Sequence, residues 1–167
     1  MKLLSVILAS LLVGLAGGCR TTESSPPLLA AHPLVARIYL EALPQEQGSA
    51  VALPISGVRL MIDPRAVLLE SDVAGAELVA AEFGPALQLT FTPAAARDLY
   101  RKTVGAQGRR LVLLFNGAAV AAQRIGDPVT GGLLQFYPEV PADQLHATLA
   151  DLRNTTAAVR AKLARKK

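Results

Sequence analysis

The fold of this chain is set by the stretch Leu87-Gln88-Leu89-Thr90-Phe91-Thr92-Pro93-Ala94-Ala95-Ala96, where one kind of secondary structure gives way to another. Apolar residues alternate with Gln88 and Thr90 in its first half, which predicts a strand with one buried face. Thr92 can accept a hydrogen bond from the first helical turn, and Pro93 suits the first helical position because no amide partner is needed there. The stretch therefore predicts a strand that passes directly into a helix.

A helix and a hairpin are predicted beyond this junction. Apolar and small residues recur at spacings of three and four, which is typical of an amphipathic helix: Ala96, Leu99, Tyr100 and Thr103. Gly105 or Gly108 is expected to end that helix. Residues 111–115 are continuously apolar and of strand length, which predicts a strand buried on both faces. Asn116-Gly117 then predicts a tight turn into a partner strand over residues 118–125, because both residues tolerate positive φ.

Weaker signals complete the expected set of elements. Strands are predicted for residues 37–43, 58–62, 77–83 and 133–137. A helical turn at Val73-Ala74, capped by Ser71 or Asp72, is also expected. Pro141 opens a second helix with an apolar stripe, Leu145, Leu149, Leu152, Val159 and Leu163. This order predicts an α+β fold: a two-layer sandwich of a mostly antiparallel sheet with two main helices packed on one face.

The first residues have the layout of a secretory signal peptide. Lys2 precedes an apolar run over residues 3–15, and small residues lead to Cys19. The run is shorter than the ~20 residues that a membrane-spanning helix needs. The stretch Leu15-Ala16-Gly17-Gly18-Cys19 resembles a bacterial lipoprotein signal, which implies cleavage before Cys19 and its acylation, palmitate included. Arg20, rather than Asp, then favours the outer over the inner membrane; an ordinary cleavable signal is the alternative.

Composition divides the remainder of the chain. We predict a signal peptide over residues 1–18, a Pro- and Ser-containing flexible tether over 19–35, a folded domain over 36–152 and a basic helical extension over 153–167. Residues 37–151 hold nine basic and twelve acidic residues, a formal charge of −3. The extension has six basic residues and no acidic one, and they are candidates for contact with an anionic surface: Arg153, Arg160, Lys162, Arg165, Lys166 and Lys167. Helix-end solvation is the plainer role.

Signals for catalysis are missing from the sequence. His32 lies in the tether, and His146 follows Asp143 by three residues on the second helix, so neither has an evident catalytic partner. A single cysteine and two distant histidines argue against a zinc site. Aromatic residues make up 4% of the chain and the predicted domain is acidic, which argues against nucleic acid as a partner. We therefore expect no enzyme activity and no cofactor, although a hydrolase site assembled in space stays open.

The elements in this order resemble the head subdomain of the first periplasmic domain of SecD and SecDF, accessory subunits of the bacterial Sec translocase. The resemblance runs through residues 65–73, 87–96, 108–117 and 141–152, with Thr103, Ile125, Gly131 and Gly132 at matching positions. Gln123 replaces the family's Pro on the return strand. The family's membrane helices and intramembrane acidic residues have no counterpart in this sequence, which argues against a proton-driven motor.

The resemblance implies a function in binding protein. The leading hypothesis is a non-catalytic envelope lipoprotein, held to a membrane by its lipid and facing the periplasm. Its head-like domain would bind unfolded or exported polypeptide, or Sec translocase components, through an apolar groove or a sheet edge. The alternative is an adaptor that tethers envelope surfaces through its lipid and its basic C-terminal helix.

Overall fold

The computed structural model describes residues 33–165 of the 167-residue chain. Strands are β1 (Ala36–Glu41), β2 (Ser49–Ala52), β3 (Arg59–Leu68), β4 (Val73–Ala81), β5 (Gly84–Phe91), β6 (Arg110–Phe115), β7 (Ala118–Arg124) and β8 (Leu133–Phe136). Helices are α1 (Pro93–Val104) and α2 (Ala142–Ala164). The predicted signal peptide, most of the tether, Lys166 and Lys167 lie outside the described residues. Within that range, neither helix combines the length and the apolar character needed to cross a membrane.

The strands form two antiparallel sheets. A five-stranded sheet has the order β2-β3-β1-β6-β7, and a three-stranded sheet has the order β4-β5-β8. The inner faces of both sheets, together with α1 and α2, share one apolar core. The predicted α+β class, with two helices on mostly antiparallel strands, is confirmed.

Strand β6 lies at the centre of the larger sheet and is buried on both faces, as its apolar run predicts. Leu111, Leu113 and Phe115 contribute to the main core. Val112 and Leu114 face a smaller core on the opposite side of the sheet. Leu53, in the connection between β2 and β3, covers part of that smaller core. The Asn116-Gly117 turn has φ of 48° and 89°, which confirms the predicted hairpin.

The strand-to-helix junction forms as its sequence predicts. The Thr92 hydroxyl accepts a hydrogen bond from the Ala95 amide at 3.3 Å, and Pro93 occupies the first position of α1. Gly105 caps the helix. The buried face of α1 contains Ala95, Leu99 and Thr103, whereas Tyr100 of the predicted stripe is exposed.

The turn predicted at Val73-Ala74 is wrong, because β4 begins at Val73. Asp72 instead closes a 3₁₀ turn over Glu70–Asp72 by accepting from the Leu69 amide at 2.8 Å. The strand predicted over residues 58–62 is longer in the structure, where β3 continues through Pro64 to Leu68. It can do so because the β1–β3 register is broken at Pro64, so no ladder bond needs the missing amide.

Candidate functional site

A groove of about 650 Å³ opens between the two sheets, beside β8. The start of β6 and the end of β7 form one side, where Leu111 and Ile125 are buried. The hairpin between β4 and β5 and the residues of β8 form the other. The connection from β7 to β8 is held against α1, because the Val129 amide donates to the buried Thr103 hydroxyl at 2.9 Å. The groove walls therefore belong to elements fixed by the main core.

Two exposed aromatic side chains stand at the groove mouth. Phe83 lies at the tip of the β4–β5 hairpin with 78% of its surface exposed, and Tyr137 follows β8 at 37%. Their rings meet edge to face, with centroids 5.8 Å apart and planes at 69°. Exposed aromatic residues next to a groove are typical of a contact surface, because they bury large apolar areas with few rotatable bonds.

Strand β8 gives the groove a line of backbone hydrogen-bonding groups. It pairs with β5 on one side only and is an edge of its sheet. Leu134 and Phe136 are the residues whose backbone groups point to β5, since the Phe91 amide donates to the Gly132 carbonyl and such pairs alternate. The amide and carbonyl groups of Leu133 and Gln135 consequently point outward, toward the groove.

The opposite edge of this sheet is covered. Arg153 of α2 donates from Nε to the Ala76 carbonyl at 2.7 Å, and Arg160 donates from Nη1 to the Ala74 carbonyl at 3.0 Å. Both carbonyls face outward from β4. Arginine groups that occupy an edge in this way oppose the addition of another strand. Of the two edges of the three-stranded sheet, β8 is therefore the one that borders an open groove.

Glu139, which follows β8, fixes the turn between β2 and β3. Its Oε2 accepts from the amides of Ile55 and Ser56, each at 2.8 Å. Partial burial tends to raise the pKa of Glu139. Hydrogen bonds from the Ser56 side chain and from the two backbone amides outweigh that effect and lower this pKa below its ordinary value.

A second, shallower hollow of about 420 Å³ lies on α1. It is lined by Ala96, Tyr100 and Thr130 with the stems of two arginines, Arg97 and Arg101. Its lining is apolar side-chain surface. The groove beside β8 offers apolar surface and outward backbone groups together, so we take the groove as the candidate site.

Several charged groups of the described residues form ion pairs. Arg110 contacts Glu41 at 2.8 Å, Arg109 contacts Glu46 at 3.0 Å, and Arg37 contacts Glu70 at 3.0 Å. The hydrogen bond from Arg37 lowers the pKa of Glu70, although burial opposes this. Among residues 33–165, no three His, Cys, Asp or Glu side chains lie where they could hold a metal ion. His146 is exposed on α2.

The residues proposed from sequence for anionic contact divide into groups. Arg153 and Arg160 reach the edge of β4, as described above. Lys162 and Arg165 are exposed at the end of α2. Cys19, His32, Lys166 and Lys167 lie outside the described residues.

Sequence reasoning did not single out Phe83, Tyr137 or the edge of β8. The sequence did contain one signal for this site, because each aromatic residue stands beside turn residues, where side chains are commonly exposed. Phe83 precedes Gly84-Pro85, and Tyr137 precedes Pro138.

Comparison with known proteins places this arrangement in a structural context. No family model matches the chain, and no curated protein matches its sequence significantly. Solved structures do match. One is of SecDF, described as a membrane component that enhances protein export: identity is 19% and the TM-score 0.56, over 74% of this chain and 63% of that chain. A second is of SecDF in a super-membrane-facing form: identity is 22% and the TM-score 0.56, over 72% of this chain and 19% of that chain.

This domain has a SecD-like fold. The resemblance predicted from the sequence is thus confirmed at the level of fold. The chain matches less than two thirds of the length of either SecDF chain.

Proposed function

We propose that this chain is a non-catalytic lipoprotein of the cell envelope that binds extended protein segments in connection with Sec-dependent export. The observation that carries the proposal is the open edge of β8 beside a groove of mixed polar and apolar lining, with Phe83 and Tyr137 at its mouth. An extended segment could add to β8 as a further strand, through the outward groups of Leu133 and Gln135. The SecD-like fold supports the link to export, since SecDF enhances that process.

Two kinds of contact would act together in this binding. Backbone hydrogen bonds to β8 do not depend on the side chains of the bound segment, so they suit a range of unfolded sequences. Apolar side chains of the segment would alternate toward the groove and the aromatic pair. Such binding is expected to favour extended, apolar segments over folded proteins.

Removing the aromatic pair tests the site. In residues 20–167, which include all the described residues, Phe83→Ala with Tyr137→Ala should weaken binding of fluorescent, extended apolar peptides about tenfold, because aromatic contacts dominate small interfaces. Fluorescence anisotropy measures the affinity. Ile55→Ala with Met61→Ala is the matched control, since both side chains are exposed and neither lines the groove. No binding by the unaltered protein at high micromolar concentration would contradict the proposal.

Peptide chemistry separates strand addition from side-chain binding alone. Peptides that are N-methylated at alternate residues keep their side chains but lose the amides of one edge. Their affinity should fall when the methylated edge must face β8. Equal affinity for methylated and unmethylated peptides would exclude strand addition. In cells, a photo-crosslinker at position 135 should recover exported precursors or Sec components, and one at position 55 should not.

A further inference from the structure

The fold has two distinct ends, and the chain enters the described structure at one of them. The Leu34 amide donates to the hydroxyl of Thr155 on α2 at 2.9 Å. The Val35 amide donates to Asn116 Oδ1 in the β6–β7 turn, also at 2.9 Å. The residues that precede position 33 therefore join the domain beside the second half of α2.

The groove lies at the opposite end. The contacts of Arg160 with Ala74 and of Arg153 with Ala76 set the later turns of α2 beside the first residues of β4. Strand β4 then runs for nine residues before its hairpin. At ~3.3 Å per residue, β4 places the hairpin roughly 25 Å from the strand's first residue.

The C-terminal segment also differs in charge from the rest of the domain. Residues 153–167 contain six basic residues and no acidic one, whereas residues 37–151 have a formal charge of −3. The last turns of α2 place Lys162 and Arg165 at the surface, with Leu163 between them at 46% exposure. An anionic surface would attract this end and repel the remainder of the domain.

We propose that the C-terminal end of α2 docks on an anionic phospholipid leaflet, and that this leaflet belongs to the membrane that holds the N-terminal anchor. Two observations carry this proposal: the charge complementarity of this end, and the chain entry beside it. Thirteen residues, 20–32, separate Cys19 from the described structure. An anchor on that segment and the basic end reach one leaflet together, with the groove directed away from it. The shared leaflet rests on the lipid anchor of the proposed function, whereas docking of the basic end does not depend on polypeptide binding.

Vesicle binding tests the docking surface. The probe is residues 20–167 with vesicles of phosphatidylcholine, with or without phosphatidylglycerol. Binding should require phosphatidylglycerol and weaken as salt is added. Replacing Lys162, Arg165, Lys166 and Lys167 with Gln should reduce affinity on the order of a hundredfold, since each basic residue near such a surface contributes severalfold. The control replaces Arg59, Arg65, Arg97 and Lys102, which removes equal charge elsewhere. Equal losses in the two variants, or binding without phosphatidylglycerol, would overturn the proposal.

The orientation has its own measurement. Cys19 is the only cysteine, so residues 20–167 take a single fluorophore at an introduced cysteine. A label at Leu163→Cys should be quenched by headgroup-labelled lipid, whereas a label at Phe83→Cys should not. Comparable quenching at both positions would overturn the orientation. Bridging of separate vesicles by the acylated protein would show that the basic end meets a second membrane, and would overturn the shared-leaflet arrangement.

Discussion

Glu139 joins parts of the chain that lie more than eighty residues apart. Its carboxylate accepts from the amides of Ile55 and Ser56 at separations of 84 and 83 residues. The turn that it holds carries Leu53, which covers the smaller core of the five-stranded sheet. Glu139 thus helps to hold Leu53 over the smaller core, although Glu139 is not part of that core.

Replacement of the Glu139 carboxylate should lower the free energy of unfolding by an amount that depends on pH. Because the folded pKa of Glu139 is below its unfolded value, its ionised form stabilises the fold above about pH 4.3, and this contribution is lost as pH falls through the folded pKa. Glu139→Gln should lower the free energy of unfolding by about 1 kcal/mol at pH 7, after allowing for partial exposure. Urea unfolding across pH measures it.

A matched variant shows whether the effect belongs to this contact. Glu82→Gln changes an exposed carboxylate in the β4–β5 hairpin and should have little effect on stability at any pH. A Glu139→Gln deficit that stays constant between neutral and acid pH would show that the charge is not what stabilises the turn.

At the scale of elements, the two edges of the three-stranded sheet differ in what covers them. Helix α2 crosses the outer side of β4 and supplies Arg153 and Arg160 to its carbonyls. Strand β8 borders the open groove instead. The difference explains why a partner strand would be accepted at one edge and refused at the other.

Uncovering β4 should therefore create a new pairing edge. The double variant Arg153→Gln with Arg160→Gln should self-associate at concentrations where the unaltered protein does not, because its outward carbonyls lose their donors. It should also lose about 1 kcal/mol of stability. Sedimentation velocity and thermal unfolding measure the two effects. Arg97→Gln with Lys102→Gln, on the exposed face of α1, is the control, and equal self-association of both variants would contradict the explanation.

At the scale of the whole molecule, the chain entry and the groove lie at opposite ends. An anchor ahead of position 33 would hold the domain by one end and leave the other free to meet polypeptide. The proposed lipid would retain the protein at a membrane, and docking of the basic end of α2, rather than the flexible tether, would direct the groove away from it.

Acylation of Cys19 is the prediction at this scale. The mature protein should begin at Cys19 and carry acyl chains, each buried methylene adding about 0.8 kcal/mol to membrane attachment. Mass spectrometry of protein extracted from cells measures the modification, and Cys19→Ser should release the protein from the membrane fraction. An unmodified thiol in the mature product would contradict the anchor.

The sequence by itself determined the elements that depend on neighbours in the chain. The cap at Thr92, the Asn116-Gly117 turn and the doubly buried strand β6 all follow from local chemistry or local apolar pattern. The order of these elements was also enough for the SecD-like resemblance, which the solved structures confirm as a fold. The prediction that was wrong concerned a choice between two local structures. Asp72 closes a 3₁₀ turn that ends before Val73, so Val73 begins a strand rather than a helical turn.

Tertiary structure alone decided the candidate site. The division of strands between two sheets, the open edge of β8 and the covering of β4 depend on contacts between distant parts of the chain. Examples are the pairing of β5 with β8 and the hydrogen bonds from Arg153 and Arg160 to carbonyls 77 and 86 positions away. The basic residues of α2 looked equivalent in sequence, yet packing assigned Arg153 and Arg160 to a sheet edge and left Lys162 and Arg165 exposed. Local pattern reports which face of an element is apolar. Which other element meets that face, and which edge stays open, follows only from how the whole chain packs.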